Sequence, residues 1–246
     1  MTWPKEVTSF LRAHSKELRL EREADRDYAL SPTNFRLMNG GPSMPRCNEA
    51  KALIASVMAH QELLAFHATR LIDIDEVQRR GLLRLNLEQQ INRLKAHLSD
   101  AGAYEELAEV DDALAKILKA DSFFSRREGA VWATPCRKSL HDGGCDVFFG
   151  SYGGEAIERM AGCSQGKLEL WLKQIGNPAV IIVRYPAYGW CEFTHSRLPQ
   201  SMIELHLQHE GEWEAMDYGW DIMIKRDIPA QNIVAILPPD HSSVAS

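Results

Sequence analysis

Leu63-Leu64-Ala65-Phe66-His67-Ala68-Thr69-Arg70-Leu71, with Gly81-Leu82-Leu83 downstream, is the stretch from which the rest of the chain is ordered. Leu63 to His67 is a short apolar run that suits a buried strand. Asp73 is placed to cap a following helix, and Glu76 stands three positions later in capping-box spacing. Gly81 ends that helix. A strand ending in His-x-Thr is thus followed by a helix and a Gly-Leu closure. A neutral imidazole at such a strand end offers one donor and one acceptor, which suits a sugar hydroxyl. Ala68 is small enough to let a ligand approach the backbone. The plainer alternative is a core histidine at a strand end.

Upstream, residues 1 to about 30 read as a charged helix, residues 31–46 as a Pro- and Gly-punctuated loop, and Asn48 to Glu62 as a second helix. Downstream, 86–119 is strongly helical. Leu87, Ile91, Leu94 and Leu98 form one face, and Leu107, Val110, Leu114, Ile117 and Leu118 another, with Gly102 between. Short isolated helices are marginal in water, so this segment is expected to pack on the core as an insert. Ala130–Ala133, Ala179–Val183, Met202–Leu207, Asp221–Lys225 and Ile233–Leu237 read as strands; Glu155–Ala161 and Lys167–Ile175 read as helices. The strands are not separated by regular crossover helices, so the order predicts α+β rather than a doubly wound sheet. The expected division is an N-terminal helical segment, 1–62, and a domain over 63–240 with an insert at 86–120.

A chain of 246 residues with 45% hydrophobic content can bury a sizeable core. Its net charge of -6 argues against an extended basic surface for bulk nucleic acid. No run approaches the ~18 apolar residues of a membrane span. The N-terminus lacks a basic stretch followed by an apolar one, so no secretory signal is expected. Five cysteines (47, 136, 145, 163 and 191) are an odd number with no C-x-x-C pair, which favours ordinary thiols in a reducing cytoplasm over disulfides or zinc. No metal is expected.

The His67-x-Thr69 strand with Gly81-Leu82 resembles the opening of the ADP-ribosyltransferase superfamily, in particular the DNA-targeting ADP-ribosyltransferase toxins and the poly-ADP-ribose polymerases. A second segment, Asp221 to Ile233 with Ile228-Pro229 inside it, resembles that family's late strand, turn and closing strand. The resemblance spans roughly 63–237 and is clearer at its two ends than in its middle. It implies a split mixed β core and NAD as co-substrate. His67 would bond a ribose hydroxyl of NAD and the Ala68 backbone would hold the nicotinamide amide, with Thr69 and Arg70 beside them. Aligning Ile228-Pro229 places Asp221 where the family has its catalytic glutamate. Aspartate is one methylene shorter, and a misplacement of ~1 Å can cost about 100-fold in rate.

Three further places follow from the resemblance. Val131 to Lys138 resembles the second core strand and its exit, which makes Arg137 a candidate to assist attack; Arg137 and Lys138 are alternatively pyrophosphate contacts or a solvated pair. Tyr152, in Phe148-Phe149-Gly150-Ser151-Tyr152-Gly153-Gly154-Glu155, sits where an aromatic stacks on nicotinamide. Glu155 is a second-choice acid or a helix-start charge. Glu212, Glu214 and Asp217 could substitute for Asp221, and Trp213, Tyr218 and Trp220 could stack on an acceptor or simply pack. The expected activity is transfer of ADP-ribose from NAD to protein or nucleic acid, by analogy that of a toxin or defence factor. The rivals are an RNA 2′-phosphotransferase, disfavoured by dispersed arginines and an acidic chain, and a degenerate binding protein, favoured by aspartate in place of glutamate.

Overall fold

The computed structural model describes residues 3–32, 36, 40–120, 128–134, 137–140, 145–162, 166–187, 192–210 and 222–239. The N-terminal charged stretch forms two helices, α1 (Lys5–Ala13) and α2 (Ser15–Leu30), where the sequence suggested one. α3 covers Pro45–Met58, with Pro45 in the first turn where its missing N–H costs nothing. β1 (Glu62–Leu71) runs through the His-x-Thr motif instead of ending at it. α4 (Ile74–Arg80) is capped by Asp73, whose carboxylate accepts from the amides of Asp75 at 2.8 Å and Glu76 at 3.2 Å. α5 (Leu87–Asp100) and α6 (Tyr104–Ala120) are parted by Gly102, which takes φ of 69°. Then come β2 (Val131–Ala133), α7 (Asp146–Gly150), α8 (Gly154–Gly162), α9 (Lys167–Gln174) and β3 (Asn177–Pro186). α10 (Glu192–His209), β4 (Ile222–Ile224) and β5 (Ile233–Leu237) complete the order. The architecture is mixed α+β with small sheets.

The expected strand at Met202–Leu207 is instead part of the helix α10. Among its described positions Pro199, Met202, Ile203, Glu204, His206 and Leu207 are buried, a helical spacing. The alternation was misleading because two polar residues, Glu204 and His206, face inward with partners. Glu204 pairs with the buried Arg22 and accepts from Gln200 at 3.0 Å. His206 Nε2 lies 2.8 Å from the Ser15 hydroxyl, which itself donates to the Leu11 carbonyl at 3.0 Å. The hydroxyl proton is therefore committed, and His206 Nε2–H is the donor of the pair.

Contacts divide the chain into two compact units. The first joins α1, α2 and α3 to α10 around Leu11, Leu18, Ile54 and Ile203. The Glu21 carboxylate caps α3 in place of an N-cap side chain, accepting from the amides of Arg46 (3.0 Å) and Cys47 (2.8 Å). The second holds the five strands and α4 to α9. One cut between the units falls after Glu62, and α10 groups with the first unit.

In the second unit β3 lies between β1 and β5, antiparallel to β5, and β2 pairs antiparallel with β4 in the register Val131–Ile224, Trp132–Met223 and Ala133–Ile222. Phe66 and Thr134 exchange backbone bonds of 2.8 and 2.9 Å, which ties β1 to the exit of β2. The α5–α6 pair does find a partner surface. Ile91, Leu94, Leu98, Val110 and Ala113 share one core with Ile157, Met160, Leu168 and Leu172 of α8 and α9. Each fully buried leucine there contributes ~2 kcal/mol. Among the described residues, no helix is long and apolar enough to cross a membrane.

Candidate functional site

His67 stands mid-strand in β1, and its Nδ1 lies 2.7 Å from the Trp132 carbonyl oxygen. A carbonyl only accepts, so Nδ1 carries the proton. Burial depresses the imidazole pKa, and the bond to Trp132 opposes this in part. The ring is neutral at pH 7, and Nε2 is left with its lone pair. With the N–H committed to Trp132, the ring offers a ligand an acceptor, which a sugar hydroxyl can meet as donor.

Ala68 is buried, and its neighbours Leu140, Phe149 and Val180 form a small apolar floor under the strand. Thr69 is half-buried. Arg70 is turned to structure. Its Nε donates to the Ile175 carbonyl at 3.0 Å, one Nη to Phe149 at 2.8 Å and the other to Gly176 at 2.8 Å. The guanidinium thus satisfies carbonyls at the ends of α7 and α9, a C-terminal cation in each case.

The two distant halves of the sequence signature meet. Leu82 donates to the Ile228 carbonyl at 2.9 Å, and Ile228 donates back to Leu82 at 2.8 Å. Gly81, at φ 78°, lies so close that an added Cβ would stand 1.9 Å from the Ile228 oxygen. Only glycine fits both the left-handed backbone and the approach. Asp227 then fastens the same linker by accepting from the Arg84 amide at 2.8 Å. The linker continues to Leu85, which exchanges backbone bonds with Ala130 and Gly129 just before β2.

The β1 and linker side of this junction, with residues before and within β2, lines a cleft of about 280 Å³. His67, Ala68, Thr69, Arg70, Tyr152 and Glu155 all line it. Tyr152 is half-buried, meets His97 edge-on at 5.9 Å, and has its hydroxyl pKa raised, mainly by burial. Glu155, in the first turn of α8, bonds Arg159 at 3.1 Å. Arg137 sits exposed on a 3₁₀ turn, Arg137–Leu140, and is not among the described lining residues. Asp221 lies outside the described residues, as do Glu212, Glu214, Asp217, Trp213, Tyr218 and Trp220. Its chain neighbour Ile222 pairs with Ala133, one residue past the Trp132 that holds His67.

One wall was not anticipated. α5 presents Gln89, Gln90, Arg93 and His97 to the cleft, and α4 adds Glu76 and Arg80. The i, i+4, i+8 spacing of Gln89, Arg93 and His97 marks one helix face, beside the apolar stripe of Ile91, Leu94 and Leu98. Its polar character gave no reason to prefer a cleft over solvent. Searches against protein-family models, curated proteins and solved structures found no match to this chain.

Proposed function

We propose that this cleft binds NAD and that the protein transfers ADP-ribose from it to a macromolecular acceptor, protein or nucleic acid. The observation that carries the reading is the neutral His67, fixed by Trp132 with Nε2 unprotonated, in a cleft also lined by Gly81-Leu82, the linker whose backbone pairs with Ile228. The two signature segments lie far apart in the sequence, and their junction supports reading them as one ADP-ribosyltransferase-like core. On this reading His67 accepts from a ribose hydroxyl, Ala68 leaves its backbone approachable, and Tyr152 offers a ring face beside the bound heterocycle.

As nicotinamide leaves, positive charge develops on the ribose, and a carboxylate there stabilises it. The same group can take the proton of the incoming acceptor. Asp221 is the first candidate, from its sequence position ahead of Ile222. Glu155 is the alternative within the described cleft, where its contact with Arg159 orients it.

The test is incubation of wild type, Asp221→Ala, Asp221→Glu and Glu155→Gln with labelled NAD and mixed cellular protein, DNA and RNA. Wild type is expected to transfer label and so name the acceptor class. Asp221→Ala should lose turnover by 100-fold or more, on the order of removing a single transition-state stabiliser, while it keeps most of its NAD affinity. Asp221→Glu should keep or raise activity. Full activity in Asp221→Ala with loss in Glu155→Gln moves the role to Glu155. NAD binding without transfer or nicotinamide release in wild type identifies a binding protein and ends the transferase reading.

A further inference from the structure

We propose that Arg80 and Arg93 form a clamp for the diphosphate of a nucleotide in the cleft, with Glu76 holding the two guanidinium groups together. The assignment rests on reading the cleft as a nucleotide site. Arg80 comes from α4 and Arg93 from α5, and their Nη atoms lie 3.0 and 3.2 Å from the same oxygen, Glu76 Oε1.

One carboxylate oxygen thus serves two cations and leaves a positive surplus at that point. The other cleft arginines are committed elsewhere: Arg70 to three carbonyls and Arg84 to Asp227. Among the described residues, four arginines and three carboxylates line the cleft, a positive balance inside a chain of net charge -6. The side chains of Arg80 and Arg93 remain 55% and 42% exposed, so donors not directed at Glu76 are open to a ligand. A guanidinium fork matches phosphate oxygens in pairs, which a lysine ammonium does not. Tyr152 lines the same cleft as Arg93 and Glu76, so the clamp shares its space with an aromatic ring. The helical insert would therefore supply half of the phosphate site, and the Arg137–Lys138 pair would not be needed for it.

The full-length chain is titrated with ADP and NAD by calorimetry, and with nicotinamide riboside by ligand-observed NMR, which reads millimolar affinities. Wild type is compared with Arg80→Ala/Arg93→Ala and Arg80→Lys/Arg93→Lys. The double alanine variant should lose about tenfold or more in affinity for ADP and NAD, as expected for charge-assisted bonds, and leave nicotinamide riboside unchanged. The lysine variant should fall between. Equal loss for all three ligands means that the cleft wall has shifted, and overturns the clamp; so does ADP affinity that neither variant alters. If wild type binds ADP through these arginines but never cleaves NAD, the clamp stands and the transferase reading falls. If NAD turnover persists in the alanine variant with unchanged KM, the transferase stands and the clamp falls.

Discussion

A single acceptor, the Trp132 carbonyl, decides where the proton on His67 sits, and two consequences follow for pH. Protonation at Nε2 removes the only lone pair on the ring, so NAD affinity should be flat near neutrality and fall as pH drops through the depressed pKa of His67. Stability moves in the same direction. The unfolded imidazole titrates near 6.5, and the folded one only at lower pH. The unfolded chain therefore takes up its proton first, and the contribution is whole above about pH 6.5 and lost as pH falls below it. His206 is also depressed, by burial first, and adds a slope of the same sign. Urea midpoints measured from pH 7.5 to 5 should fall less steeply for His67→Gln than for wild type; identical slopes would remove His67 as a titrating element. His67→Ala should in addition weaken NAD binding, with the fold retained. Gly81 could be read in the sequence because the helix stop before it demands a positive-φ residue, and the strand around His67 because its apolar run is local, although the strand continues past the histidine to Leu71. Arg70 and Arg93 could not. The first is turned inward by carbonyls contributed more than a hundred residues later, Ile175 and Gly176, and the second faces the cleft only because of how the insert docks.

At the scale of elements, legibility followed whether polar letters stayed outside. Asp73 caps α4 and Gly102 separates α5 from α6 as their local rules require, and β5 falls on the apolar run that marked it. α10 is the exception, since Glu204 and His206 occupy its buried face and Pro199 lies within it. The Arg22–Glu204 pair is what permits that inversion, with both side chains under 10% exposed. Asp25 supports Arg22 from the other side at 2.5 Å. Glu204→Ala should leave Arg22 buried with one partner fewer and destabilise the protein by about 3 kcal/mol. Arg22→Met combined with Glu204→Leu should recover most of that loss, because apolar residues of similar volume avoid the desolvation of two charges. Chemical denaturation of the three forms decides it. A single-variant loss below about 1 kcal/mol, small against the cost of an orphaned buried charge, would mean that the pair is not what holds α10 to α2.

For the whole molecule, the chain path matters more than any one element. A reading along the sequence divides naturally at residue 62, where charged helices give way to the apolar run of β1. It cannot show that the chain returns to the first unit after β3, because α10 carries no local sign of its partners. Residues 1–62 are therefore not an appendage to be trimmed. Removing them would uncover Met202, Ile203 and Leu207 on α10, each worth ~2 kcal/mol of burial, and would take Arg22 from Glu204 and Ser15 from His206. The second unit would keep its own core, including α5 and α6 against α8 and α9. A chain of 63–246 should accordingly aggregate or self-associate, expose surface that binds a hydrophobic dye, and lose helical signal beyond the share of the deleted helices. The same truncation carried on to delete 187–218, replaced by a flexible Gly-Ser link, removes the orphaned helix as well and should be the better-behaved protein. Size-exclusion chromatography and thermal unfolding of the two truncations settle the ranking. If 63–246 is monomeric and melts cooperatively at the full-length temperature, α10 does not depend on the N-terminal helices and the division into units is wrong.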